Sequence, residues 1–275
     1  MSIMLHYEFM RIAFLIGILL GIALPLVGST AVFKRLSSSG DALAHSSLAG
    51  VAIGLTAGMN PLIVSVIACV VSFLIIEFIR RKFPKFSELG VAVVLSASIG
   101  LAGVLSSFAQ SGNFESYLFG SILLADELEV VLAIVLCSIT VLFYLFFHQQ
   151  IFATIYNESE SKVQGVRTNL VSLAHSLLLS IVIAISAKTI GALVVSSLIA
   201  IPVASALQAK VSYRGTLILS VILSLASVIA GITLSYYADL RPGASIALLG
   251  VGVFFLMLFY RLISEAIFFR KKKQK

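Results

Sequence analysis

Charge is scarce in this chain: Asp, Glu, Lys and Arg make up 11% of its 275 residues, 60% are hydrophobic, and the mean hydropathy is +1.11. Such a balance excludes a soluble globular domain and describes a polytopic membrane protein. Motifs of catalysis are missing too: there is no GxxxxGK[ST] phosphate loop, no HExxH, no GxSxG and no GxGxxG opening a helix after a strand. If ATP drives the protein, the ATPase is a separate chain, and a membrane enzyme would have no nucleophile constellation to use. The two cysteines, Cys69 and Cys137, both lie inside apolar runs, which leaves no disulfide framework and no CxxC metal site. Residues 1–10 lack the basic n-region of a signal peptide, so the first apolar segment reads as a retained helix.

What is present is a series of apolar runs of spanning length, at about 12–32, 42–58, 61–79, 89–109, 127–147, 169–187, 189–209, 214–236 and 243–262. They predict an all-α transmembrane bundle of about nine helices, forming a single domain over 1–275. With the N-terminus outside and the C-terminus inside, all but Arg11, Lys188 and Arg241 of the 19 basic residues fall on the cytoplasmic side. The net charge of +7 is thus a topology signal and excludes a nucleic-acid role.

One stretch departs from the apolar pattern: Ser39-Gly40-Asp41-Ala42-Leu43-Ala44-His45 opens the second segment with a carboxylate and an imidazole four residues apart. On a helix these share one face about 6 Å apart, and a charged carboxylate near mid-bilayer costs about 2.5–3.5 kcal/mol on insertion scales. Two readings stay open on the residues alone: a site for a cation or a proton, or an Asp N-cap on a helix whose His bonds a carbonyl. Imidazole with carboxylate suits zinc and is tolerated by manganese and iron(II). Two ligands do not complete a structural zinc shell, which suits transient binding. His175, about two turns inside the sixth segment, is either a third ligand or a hydrogen-bonded packing residue.

Ala42, Ser46, Gly50, Gly54 and Gly58 form a small-residue face along the second segment, and Gly191 to Ser197 repeat that character before Pro202. Pro25 and Pro202 interrupt two segments that run in the same direction, either as a repeat-built pathway or as unrelated kinks. Residues 115–126 are too short to span and too apolar for an ordinary loop, so a re-entrant or interfacial segment is expected there. Glu77 reads as a snorkelling or paired charge and Asp239 as a turn or entrance residue. The stretch 148–168 is long enough for a short amphipathic helix that docks on a soluble partner, or is a solvated loop.

Gly40-Asp41-Ala42-Leu43-Ala44-His45-Ser46-Ser47-Leu48-Ala49-Gly50 resembles the hallmark segment of the membrane subunits of ABC-type zinc and manganese importers. The resemblance continues through Tyr117-Leu118-Phe119-Gly120-Ser121, Gly191-Ala192-Leu193-Val194-Val195, Ile201-Pro202-Val203-Ala204 and Leu234-Ser235-Tyr236-Tyr237. Tyr7-Glu8-Phe9-Met10 and the Tyr117 segment are most similar to the zinc branch of Gram-positive bacteria. This resemblance implies a homodimeric permease in the bacterial plasma membrane, with cytoplasmic ATPase subunits and an extracellular or periplasmic metal-binding protein. It further implies that Asp41 and His45 are transient ligands of transported zinc, or alternatively manganese, with no permanently bound cofactor. Residues 152–165 resemble the ATPase-coupling segment, although Tyr156-Asn157-Glu158 stands where an Asp is common. A gradient-driven metal carrier is the alternative from a different class.

Overall fold

The computed structural model describes residues 6–34, 37–83, 87–108, 127–163, 165 and 167–273. The elements are α1 (Glu8–Phe33), α2 (Ser37–Thr56), α3 (Pro61–Lys82), α4 (Ser87–Ser106), α5 (Glu127–Tyr156), α6 (Glu158–Val163), α7 (Thr168–Ile190), α8 (Ala192–Leu207), α9 (Tyr213–Ala238) and α10 (Pro242–Lys273). No strand occurs among the described residues. Each apolar run read from the sequence falls mainly on its own helix, although 189–209 begins on α7 and crosses Gly191 and 42–58 runs past the end of α2, and α6 is an additional short one. The expected re-entrant segment 115–126, and the Tyr117 motif with it, lie outside the described residues.

Seven helices, α1, α3, α4, α5, α7, α9 and α10, are long and apolar enough to cross a membrane. The other two predicted segments behave differently. α8 has 16 residues, about 24 Å at 1.5 Å per residue, which is short of a core about 30 Å thick. α2 is long enough but carries Ser37, Ser38, Ser39, Asp41, His45, Ser46 and Ser47. Most residues of both helices are buried among neighbours. A helix surrounded by protein needs small residues for packing, whereas a lipid-facing one needs apolar bulk. α10 shows the lipid-facing case, with 11% of its apolar window buried against 67% for α1.

α1 is the post of the bundle, contacting α5, α7, α8 and α9 through Met10, Ile16, Leu20, Leu24 and Val27, which are all but fully buried. Pro25 and Pro202 lie inside α1 and α8, two helices that pack on each other. Their crossing is so close that a Cβ on Gly28 would collide with the Ile199 carbonyl. α2 is clamped between α3, α4, α7 and α8. A Cβ at Gly50 would sit 2.6 Å from Ser65 Cα, and one at Gly54 would sit 2.7 Å from Pro61 Cα. The small face ends there: Gly58 lies beyond the helix with φ +67° and meets nothing within 4 Å, so it serves the turn into α3 and not the packing. Gly191, at φ +93°, divides α7 from α8.

Side-chain contacts fix several of the basic residues. Lys34 and Arg80 line one cavity, Arg214 meets His148, and Lys210 pairs with Glu265. The stretch 148–168 is mostly not a loop, since α5 continues to Tyr156 and α6 follows.

Because the Gly50 clash is with backbone, Gly50→Ala should destabilise the protein by about 1–3 kcal/mol. Gly100→Ala, whose Cβ would meet nothing within 4 Å, should be near neutral. Thermal unfolding of the detergent-solubilised protein checks the pair.

Candidate functional site

α2 begins at Ser37, a full turn before Asp41, so Asp41 sits in the helix body and does not cap it. One turn on, His45 Nε2 stands 3.7 Å from Asp41 Oδ1. That is too long for a hydrogen bond. Two donors bound to one zinc at about 2.0–2.2 Å lie no more than about 4.3 Å apart, so this separation accommodates a single ion between them. The side chains are 43% and 20% exposed for Asp41 and His45 respectively, on a helix otherwise largely buried.

Two serines of α2 are absorbed by the fold. Ser46 Oγ donates to the Ala42 carbonyl at 2.7 Å and meets Ser98 Oγ of α4 at 2.8 Å. Ser47 Oγ donates to the Ala184 carbonyl of α7, and Cys69 Sγ of α3 reaches the Leu43 carbonyl. These bonds hold α2 to three neighbours and leave Asp41 and His45 facing each other.

His175 is placed elsewhere. It is buried on α7, with Nε2 2.9 Å from Tyr144 Oη. Tyr144 Oη in turn meets Thr30 Oγ1 at 3.0 Å. This network joins α1, α5 and α7. No group of three or more His, Cys, Asp or Glu is gathered to hold a metal among the described residues, so His175 is not brought into a site with Asp41 and His45. It lines a cavity of about 60 Å³ with Lys34, Glu77 and Arg80. Glu77 is the paired charge there: it accepts from Arg80 Nη2 at 2.7 Å and from Arg81 Nε at 2.8 Å. Asp239 takes the left-handed C-cap of α9 at φ +50° and is a turn residue.

Sequence reasoning passed over Tyr144 and the ion pair of Lys188 Nζ with Glu129 Oε1 at 2.9 Å, which ties α7 to α5. The signal for the pair was faint: opposite charges at the end of one apolar segment and the start of another. Tyr144 sits in an aromatic-rich run of α5 with no spacing to mark it.

The long apolar helices are those of a membrane transport subunit, which the family match makes this chain, and it is not itself an enzyme. Residues 6–261 match the ABC 3 transport family, and the chain belongs to that family as a multi-pass plasma-membrane permease of metal ABC transporters. It is 38% identical over 259 residues to a probable metal transport system membrane protein of Treponema pallidum, covering 93% of this chain and 96% of that protein. It is 30% identical to the high-affinity zinc uptake system membrane protein ZnuB of Buchnera aphidicola, covering 88% and 94%. It is 25% identical to the manganese transport system membrane protein MntC of Listeria monocytogenes, covering 98% and 97%. The fold matches PsaBC from Streptococcus pneumoniae, solved in complex with Fab, with a TM-score of 0.82, 22% identity and 92% of each chain covered. Family membership implies ATPase and substrate-binding partners.

Removing the cation from the buried Glu129 carboxylate should cost about 1–3 kcal/mol. Lys188→Ala is therefore expected to unfold at lower denaturant than wild type, and Glu129→Gln added to it should recover part of the loss.

Proposed function

We propose that this chain, as a homodimer with its N-terminus outside, carries zinc into the bacterial cytoplasm through a waypoint formed by Asp41 and His45. The observation that carries this reading is the 3.7 Å Asp41–His45 pair, half-open on a helix packed by small residues. Nitrogen and oxygen donors suit zinc, and a relative 30% identical is named for zinc uptake. Two ligands per chain bind weakly enough to release, and water or the second copy completes the shell. His175, whose Nε2 faces Tyr144, is assigned to holding α1, α5 and α7 together, in place of the third-ligand role expected from sequence. Manganese is the second reading, favoured by the relative named for manganese transport.

Coupling to a separate ATPase is assigned to residues 148–168. Phe152 stacks on Tyr156 and packs on Tyr213 at 5.0 Å between centroids, which fixes the end of α5 to α9. Tyr156 and Val163 are 80% and 89% exposed, as a surface awaiting a soluble partner would be. A push on α6 passes directly into α5 and α7, the helices it contacts. An extracellular metal-binding protein delivers the ion to the opposite end.

The test is radioactive zinc uptake by vesicles containing the chain, its ATPase and its binding protein, with and without ATP and with manganese as competitor. Asp41→Ala and His45→Ala should abolish uptake while leaving dimer assembly intact. Normal uptake by Asp41→Ala would sink the site, uptake without ATP would indicate a gradient-driven carrier, and stronger blockade by manganese would change the metal. Imidazole ligates only when neutral and carboxylate only when ionised, so protons compete with the ion. Wild-type uptake should therefore fall on acidification at a pH where ATP hydrolysis by the complex is still undiminished.

A further inference from the structure

Several basic side chains in this fold are matched with acids. Arg80, Arg81, Lys188, Lys210 and Arg261 each hold a carboxylate within 3.0 Å. Arg214 differs, because its Nη2 donates to His148 Nε2 at 2.5 Å, and an imidazole nitrogen that accepts a hydrogen bond carries no charge. No ion pair joins Arg214 to a carboxylate among the described residues. The guanidinium keeps its full charge and further N–H donors for an anion.

Arg214 also closes one end of an apolar groove. α5 and α9 both pack on α1 and meet each other through Phe152 with Tyr213 and His148 with Arg214. Away from those contacts a groove of about 440 Å³ opens between them, with Leu26 and Tyr144 among its lining. Leu145 lines it from α5, and Ile218 and Ile222 line it from α9; these three are 66%, 63% and 55% exposed. Ile218 and Ile222 follow Arg214 at successive helical turns, so the stripe runs about 12 Å along the helix from the charge. All three helices concerned are of membrane-crossing length and apolarity, so an exposed apolar groove along them suits lipid hydrocarbon.

We propose that this groove is a binding site for one anionic phospholipid per chain, its phosphate on Arg214 and an acyl chain along Leu145, Ile218 and Ile222. A lipid satisfies both features at once: the groove takes hydrocarbon, and the guanidinium takes a phosphodiester by charge-assisted hydrogen bonds. Free phosphate leaves the groove unfilled, and a zwitterionic lipid brings an ammonium of the same sign as Arg214 beside its phosphate.

Native mass spectrometry of the purified permease–ATPase complex, titrated with phosphatidylglycerol or phosphatidylcholine, tests the site. Wild type should retain phosphatidylglycerol preferentially, Arg214→Ala should weaken that retention about fivefold with phosphatidylcholine unchanged, and Arg214→Lys should keep most of the preference. Ile218→Trp, which fills the groove, should lower retention of both lipids. Undiminished preference in Arg214→Ala overturns the proposal, as does displacement of the lipid by millimolar inorganic phosphate. A disulfide between two copies of an Ile222→Cys chain would show that a second copy covers the groove, and would equally overturn it.

Discussion

Where α2 passes α3 there is no room for a methyl group: a Cβ on Gly50 would press into the backbone of Ser65 and the carbonyl of Val64. In a bilayer, helices gain little by hiding apolar surface from one another, because lipid is equally apolar. Association depends on close van der Waals contact and on hydrogen bonds. Backbone approach at Gly50, Gly54 and Gly28 supplies the first. Ser46 and Ser47, reaching α4 and α7, supply the second. The polar α2 is stable at the centre of the protein because these contacts take the place of lipid.

That environment gives the Asp41–His45 pair its meaning. A carboxylate on a lipid-facing helix would be expelled or neutralised, whereas on α2 it is carried inside a shell of apolar spans. Ser46 and Ser47 are spent on the carbonyls of Ala42 and Ala184, and the acid and imidazole face one another one turn apart. Elsewhere the protein closes its polar groups into networks: Tyr144 with His175 and Thr30 in the bundle, and Glu77 with two arginines at the end of α3. Such closed sets hold helices in register. The pair on α2 is not closed in this way: it stands 3.7 Å apart and partly exposed, which is why the transient site is proposed there.

The charge pattern has a similar division of labour. Bridges such as Lys210 with Glu265 and Arg261 with Gln208 tie α10 to the end of α8. α10 buries little of its surface, so these polar links supplement its thin packing. Arg214 meets the His148 imidazole at the mouth of a hydrocarbon-lined groove, with no carboxylate paired to it among the described residues.

Composition and periodicity alone determined that the chain is helical, membrane-embedded and without catalytic motifs, because the bilayer leaves a backbone few alternatives. The i, i+4 spacing of Asp41 and His45 likewise placed both on one helical face, and the small residues at positions 50 and 54 announced a close approach. Tertiary structure decided what spacing cannot express. It showed that α2 starts early enough to exclude an N-cap, that Gly58 belongs to a turn, and that α8 is too short to cross by length alone. It put His175 against Tyr144 and away from the α2 pair, joined Glu129 to Lys188 across two helices, and set Arg214 against His148. Those outcomes depend on which distant helix faces which, and helical periodicity fixes a face without naming its neighbour.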